Sequence, residues 1–293
     1  MKWLMTALLV FGFIHVPSAM SHPSSGIAVD SGGDVYFIDT GAGVWQLPQN
    51  GTLNKLPGPA YHWLALDRAG RLAKTDLPSF TENGATLSRG VHNLFLSSDF
   101  PISIDSKGSL LYPRIVEGQL RIMRLESSGS TSTLATVGNN TKGQPLRWIN
   151  GSASGRDGSF YYTEDRGVWK ITSQGEVVSL YSEMPKAECD SVPGVGSQFG
   201  PMFQGIDIDP QGNVFVAATG CRAVLRISPN RVVTTASRTS GAWSPTAVAT
   251  FEYDVYVLEY FHTAGHDRRE WIPRIRKIAA DGTESILATV KRR

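Results

Sequence analysis

Charged residues are scarce in this sequence, and the two signs nearly balance. Asp, Glu, Lys and Arg make up 18% of the 293 residues, and the net charge is +2, whereas about a quarter of the residues in a typical soluble domain are charged. Both signs are interspersed along the chain, so there is no basic stripe of the kind that nucleic-acid binding requires. We therefore expect no nucleic-acid partner.

Long apolar segments are also scarce, and the only marked one lies at the start. Lys2 precedes the apolar stretch Trp3–Val16, which is too short to span a bilayer comfortably. Small residues follow it at the −3 and −1 positions before His22, as in a secretory signal. We predict a signal peptide over 1–21 and a secreted or periplasmic mature domain over 22–293 that does not contact the membrane. An uncleaved anchor or a lipoprotein is the alternative, although no lipobox cysteine is present.

Cysteine is nearly absent as well. The two cysteines are Cys189 and Cys221, and an even pair in an exported protein favours a disulfide. Two unrelated buried thiols are the alternative.

Glycine and internal repetition are what the sequence has in abundance. The segment Ser25–Asp39 has the pattern of a buried strand, a tight Asp/Gly turn and a second strand, and five later segments repeat it. The turn positions are Gly33, Gly70, Gly108, Gly158, Gly212 and Tyr253, at steps of 37, 38, 50, 54 and 41 residues. Glycine suits this place because a tight hairpin needs a positive φ.

A second half-repeat follows most copies. Gly43–Leu53 matches Gly167–Val177, with weaker copies at 223–233 and 274–284. Each is typical of a second hairpin, and two hairpins make a four-stranded sheet. The prediction is an all-β, six-bladed propeller with few helices that acts as a monomer. The expected blades cover approximately 25–57, 58–93, 94–138, 143–184, 200–238 and 243–291.

These copies resemble NHL repeats and the propellers of the senescence-marker-protein, gluconolactonase and strictosidine-synthase superfamily. Asn150-Gly151, Asp157-Gly158 and Tyr161–Glu164 resemble the gluconolactonase pattern, which implies that Asn150 binds a divalent cation such as Ca²⁺. Amide and carboxylate oxygens suit that cation. The family has acidic ligands where this chain has Ser25 and Gln204, so only one of three ligands is retained. A turn or strand-start amide satisfied by the backbone is the alternative for Asn150.

The repeat alignment predicts two rings of side chains at one mouth of the channel. The inner ring, where the first strands begin, comprises Ser25, His62, Phe100, Asn150, Gln204 and Pro245. The outer ring, where the second strands end, comprises Asp39, Asp76, Arg114, Glu164, Ala218 and Glu259. A concave mouth with aromatic neighbours and convergent polar groups is the usual description of a binding site.

Within these rings we predict three catalytic candidates, His62, Glu164 and Glu259. The binding candidates are Ser25, Trp63, Phe100, Trp148, Asn150 and Gln204. A neutral imidazole serves as a general base or a metal ligand, although a lone histidine at a strand start is more often structural. Strand-end carboxylates also commonly accept hydrogen bonds from the following turn.

Two functional hypotheses follow. The first is an exported NHL-type scaffold that binds a small molecule, a glycan or a protein at this mouth. The second is a lactonase-like hydrolase that uses the pore residues, with or without a divalent cation. The missing ligand positions favour the first hypothesis, and the enzymes of the superfamily favour the second.

Overall fold

The computed structural model describes residues 24–40, 42–68, 72, 84–89, 92–137, 149–182, 201–261 and 271–291. The predicted signal peptide, Asp76, Trp148 and Cys189 lie outside these ranges, so what concerns them stays a prediction. In the described ranges, no helix is long and apolar enough to cross a membrane.

Six antiparallel sheets follow one another along the chain, and we number them as blades one to six. The strands of blades one to three are β1 (Ile27–Val29), β2 (Val35–Asp39), β3 (Gly43–Leu47), β4 (Asn54–Leu56), β5 (Trp63–Asp67), β6 (Gly84–Arg89), β7 (His92–Ser97), β8 (Ser103–Ile104), β9 (Leu110–Val116), β10 (Gln119–Leu125) and β11 (Thr131–Val137). Blades four to six contain β12 (Gly151–Ser154), β13 (Phe160–Thr163), β14 (Gly167–Ile171), β15 (Val177–Ser182), β16 (Phe203–Ile208), β17 (Val214–Ala218), β18 (Ala223–Ile227), β19 (Val233–Arg238), β20 (Trp243–Phe251), β21 (Asp254–Phe261), β22 (Ile272–Ile278) and β23 (Glu284–Thr289). The predicted all-β propeller of six blades is confirmed.

The predicted Asp/Gly turn joins the first two strands in most blades. In blades one, three and five, Oδ1 of Asp30, Asp105 and Asp209 accepts hydrogen bonds from the backbone N–H groups two and four residues later, at 2.8–3.0 Å. The glycine that closes the turn has φ of 84° at Gly33 and 81° at Gly212. The repeated sequence pattern therefore reflects a repeated carboxylate-capped turn.

Blade six keeps its register by a different route. The turn of blade six is one residue shorter than that of blade one. Four residues separate the paired Thr250 and Val255, whereas five separate the corresponding pair in blade one. A bulge between Pro245 and Ala247 adds one residue to the inner strand. Pro245 therefore still pairs with Glu259, as the alignment predicted.

Blade two differs from the predicted strand order. The alignment placed a strand ending at Asp76 beside β5, but the strand that pairs with β5 is β7, and β6 lies outside it. Leu94 and Leu96 of β7 have no exposed surface, so this strand fits the buried second position. β7 also crosses the expected boundary between residues 93 and 94.

Neighbouring blades pack face to face through apolar side chains, and the same packing closes the ring. Ile27 and Phe37 of blade one share a buried cluster with Leu258 and Tyr260 of blade six. The Tyr260 hydroxyl also donates a hydrogen bond to the Ile38 carbonyl, at 2.8 Å. The four described strands of blade one all come from the start of the chain, and those of blade six all come from its end. Among the described strands, side-chain packing therefore joins the two blades, and neither contributes a strand to the other's sheet.

The inner strands approach one another closely around a narrow channel. A Cβ atom added to Gly205 would lie 2.5 Å from the Cα atom of Ala247, and one added to Gly151 would overlap the Gln204 carbonyl. The channel has a volume of about 140 Å³. Glycine at these two positions is what permits this spacing.

One carboxylate in the channel wall ties blade five to blade six. Oδ2 of Asp207 accepts hydrogen bonds from the backbone N–H of Thr250, at 2.6 Å, and from its hydroxyl, at 3.1 Å. Burial raises the pKa of Asp207 above its ordinary value, and the bonds from Thr250 and the charge of Arg68 oppose this only in part. Ionised Asp207 is therefore a cost to folding that its hydrogen bonds do not remove.

Replacing Gly205 by Ala should destabilise the ring, because the new methyl group overlaps blade six. We expect a loss of about 1–3 kcal/mol in the free energy of unfolding, measured by urea denaturation. Gly32→Ala is the matched control, since its Cβ would meet only an Asp30 carboxylate oxygen, at 3.3 Å. Equal effects of the two substitutions would contradict the close approach.

The titration of Asp207 predicts a pH-dependent difference between the natural chain and Asp207→Asn. An acid whose pKa rises on folding holds its proton more tightly in the folded state, so its contribution to stability falls as pH rises from the ordinary value of 3.8 to the folded pKa. The variant lacks this loss, so its stability relative to the natural chain should increase across that window and then level off. Urea unfolding from about pH 3.5 to about pH 8 tests this, and a constant or decreasing difference would refute it.

Candidate functional site

The mouth face of the ring, which we define as the side where the inner strands begin, brings two predicted positions into contact. The Ser25 hydroxyl of blade one donates a hydrogen bond to Oε1 of Gln204 in blade five, at 3.1 Å. Gln204 is 5% exposed, and its Nε2 makes no hydrogen bond to another described residue. A buried amide with an unused donor is suited to bind a ligand that offers an acceptor.

His62 lies beside this pair and joins blade one to blade two. Its carbonyl accepts hydrogen bonds from the Ser25 N–H, at 3.1 Å, and from the Ser24 hydroxyl, at 2.7 Å. Its ring packs edge-on against Trp63, with 5.4 Å between the ring centroids. The backbone of His62 therefore has a clear structural role at the mouth.

Asn150 joins three blades. Its Nδ2 donates to Oδ1 of Asp165, at 2.9 Å, and to the Phe203 carbonyl, at 2.8 Å. Its own carbonyl accepts a hydrogen bond from the Trp63 indole, at 2.8 Å. Both side-chain partners are acceptors, so the NH₂ group must face them and Oδ1 must face away. That oxygen has no hydrogen-bond partner in the described ranges.

The aromatic candidates line the site unequally. Trp63 is only 3% exposed and belongs to a buried cluster. Phe100 is partly exposed and stacks on Tyr112, with 5.6 Å between centroids. Phe100 is therefore the better placed of the two for contact with a ligand.

The outer-ring residues differ in their exposure to solvent. Asp39 and Glu259 are fully buried, Glu164 is partly exposed and Arg114 is exposed. In Tyr162, burial raises the pKa above its ordinary value, and the negative charge of Glu164 raises it further. Among the outer-ring carboxylates that the structure describes, Glu164 is thus the one with solvent access.

Glu259 is held between blades five and six by cations. Its Oε2 accepts from Nε of Arg274, at 2.6 Å, and its Oε1 from Nη2 and Nε of Arg276, at 2.6 and 2.8 Å. The Thr239 hydroxyl adds a bond of 2.9 Å. A buried carboxylate that accepts four hydrogen bonds is fixed in place by its partners, so we assign Glu259 a structural role.

Two residues that hold the mouth network in place were not among the predicted site residues. Asp165 holds the Asn150 amide, and the Thr163 hydroxyl donates to the Gln204 carbonyl, at 2.5 Å. Asp165 lies one residue beyond the last aligned repeat position, so extending the alignment by one residue would have included it. Thr163 lies within the Tyr161–Glu164 pattern, but that pattern assigns it no role.

The three positions that the resemblance assigns to a metal do not fit Ca²⁺. Ser25 and Gln204 hydrogen bond to each other and contribute no carboxylate, and Asp165 accepts a hydrogen bond from the Asn150 amide. Across the described ranges, no three His, Cys, Asp or Glu side chains lie close enough together to hold a metal. A calcium site normally has negatively charged oxygen ligands, which this neutral set lacks.

Cys221 is buried at the end of a short 3₁₀ helix, Thr219–Cys221. Its predicted partner Cys189 lies outside the described residues, so the disulfide stays a prediction.

Comparison with solved structures identifies the architecture. A streptogramin B lyase matches with a TM-score of 0.53 and 16% identity, over 93% of this chain and 86% of the lyase. The virginiamycin B lyase of Staphylococcus aureus gives 0.51 and 14%, over 90% and 83%, and a luciferin-regenerating enzyme gives 0.51 and 16%, over 82% and 86%. This chain is a six-bladed β-propeller.

This likeness agrees with the predicted propeller architecture. At these identities the likeness shows the fold and not the activity. No protein-family model matches the sequence, and no curated protein matches it significantly.

The structural role of Glu259 predicts a large effect of Glu259→Gln on stability. The substitution removes the buried carboxylate that Arg274 and Arg276 share, and breaking a buried ion pair costs about 3–5 kcal/mol. Glu284→Gln is the control, because this partner of Arg276 is 38% exposed and its loss should cost less than about 1 kcal/mol. If urea unfolding gave Glu259→Gln the stability of the natural chain, the structural assignment would be wrong.

Proposed function

We propose that this propeller binds an uncharged, hydroxyl-rich small molecule or glycan at its mouth face. The observation that carries the proposal is the Ser25–Gln204 hydrogen bond, which brings a hydroxyl and an amide of two blades together. Asn150 adds an amide oxygen free of hydrogen bonds to described residues. These groups are uncharged, and both donors and acceptors are present.

A polyol matches this set because each of its hydroxyls both donates and accepts. Nε2 of Gln204 can donate to a ligand oxygen, and Oδ1 of Asn150 can accept from a ligand hydroxyl. Phe100 supplies a partly exposed aromatic face of the kind that packs against the C–H surface of a sugar ring. An anionic ligand fits less well, since Asp165 places negative charge beside Asn150.

The rigidity of the site also supports binding. Asn150, Gln204 and Ser25 are each fixed by hydrogen bonds to other blades. A ligand that enters such a site orders few side chains, so less of its interaction energy is lost to entropy.

The lactonase-like hydrolase is the second candidate, and Glu164 is the observation that favours it. Glu164 is partly exposed and directly follows β13, whose last residue, Thr163, accepts a hydrogen bond from the Asn150 N–H at 2.9 Å. Hydrolysis would need Glu164 or His62 to activate water. Glu259 is held by two arginines and does not support this role.

Calorimetry of the purified chain against neutral oligosaccharides and polyols, with a parallel turnover assay on lactones and esters, tests the proposal. We expect saturable binding of a neutral ligand that is unchanged by Ca²⁺ or by a chelator. Gln204→Leu and Ser25→Ala should each weaken it by roughly tenfold, because each removes one hydrogen bond from a buried polar group.

Ser106→Ala, at an exposed position on the opposite side of the ring, is the control and should bind normally. Absence of binding across the panel would refute the proposal. Turnover that Glu164→Gln abolishes would establish the hydrolase instead.

A further inference from the structure

A second concave site lies on the turn face of the ring, which we define as the side that carries the Asp/Gly turns. A cleft of about 560 Å³ separates blade four from blade five there. Its walls are the turns that follow β12, β16 and β18, together with the outward part of blade four. This volume lies within the range of small-molecule sites and is about four times that of the central channel.

The floor of the cleft is apolar. Leu180 from blade four and Ile208 from blade five lie on its two sides, and Pro210 and Pro229 complete it. The ring of Tyr161, 7% exposed, forms part of the inner wall. Such a surface gains free energy when it covers the apolar body of a ligand.

Three cationic side chains line the same cleft: Arg156, Lys170 and Arg231. Arg156 and Arg231 are exposed, and neither guanidinium forms an ion pair or hydrogen bond with another described residue. Lys170 is 25% exposed and lies over the Tyr161 ring, 5.2 Å from its centroid.

The two acids of the cleft are already engaged. Oδ2 of Asp157 accepts from Nζ of Lys170, at 3.0 Å, and from the Ser159 hydroxyl, at 2.8 Å. Asp209 accepts three hydrogen bonds within its own turn, from the backbone of Gln211 and from the backbone and side chain of Asn213. These bonds fix both carboxylates, while the two arginines remain available to a ligand.

We propose that this cleft binds a small organic anion with an apolar body, such as an aryl or aliphatic carboxylate. The carboxylate pairs with Arg156 and Arg231, whose guanidinium groups recognise such oxygens in a bidentate manner. The apolar body lies on Leu180, Ile208 and Pro229. A neutral polyol leaves both the charge and the apolar floor unused, so this site differs in ligand class from the mouth face and does not depend on it.

Titration of the purified chain with 2-naphthoate, followed by calorimetry and ligand-observed NMR, tests the proposal. We expect saturable binding that weakens as ionic strength rises. The uncharged analogue 2-naphthalenemethanol should bind at least tenfold more weakly. The double variant Arg156→Gln/Arg231→Gln should lose at least tenfold in affinity for 2-naphthoate and leave the affinity for the alcohol unchanged.

Lys55→Gln/Lys107→Gln is the matched control, because it removes the same charge from exposed positions outside the cleft. It should bind 2-naphthoate as the natural chain does. Three results would overturn the proposal: no saturable binding, equal affinity for acid and alcohol, or equal losses in the two double variants. The variants alter exposed side chains, and unfolding curves that coincide with that of the natural chain confirm that they are folded.

Discussion

The closeness of the inner strands around the axis is the constraint on which the rest of this structure depends. Gly151 and Gly205 leave no room for a Cβ atom, since neighbouring backbone occupies its place. This spacing lets Ser25 of blade one reach Gln204 of blade five, although blade six lies between them. It also keeps the channel narrow, at about 140 Å³. For this reason the sites that we propose lie at one end of the axis and in a cleft between two blades, and not inside the channel.

The fold could be predicted from its turns, because the turn residues repeat in the sequence. The choice of the strand that follows a turn could not be predicted in every blade. An Asp that caps its own turn and a glycine at positive φ are local requirements, so they leave a mark that repeats in the sequence. The second strand of blade two was not predicted correctly, because two segments have a sequence that suits it. These are the residues after Gly70 and the run from Leu94 to Leu96. Burial against the neighbouring blades selects β7, and that competition depends on contacts distant in sequence.

The candidate site was predictable as a set of positions but not as a set of interactions. Repeat position placed Ser25, Asn150 and Gln204 at the same end of their blades, and the structure brings them into one network. Whether a strand-end carboxylate faces the mouth or the next blade depends on how the blades tilt, which no single strand encodes. Glu259 faces blade five, where Thr239 binds it together with two arginines of its own blade.

The two faces of the ring differ in the charge of their candidate ligand-binding groups. At the mouth, a hydroxyl and an amide hydrogen bond to each other where acids are expected by resemblance, so the network is held together without a counterion. On the turn face, acids such as Asp209 accept hydrogen bonds within the repeated turns. The guanidinium groups of the arginines beside them make no such bonds to described residues. The cleft between blades four and five is lined by three cationic side chains and two acids, so a net positive charge remains there. In a chain with few charges overall, this local excess of positive charge is the reason that we propose an anionic ligand for the cleft and a neutral one for the mouth.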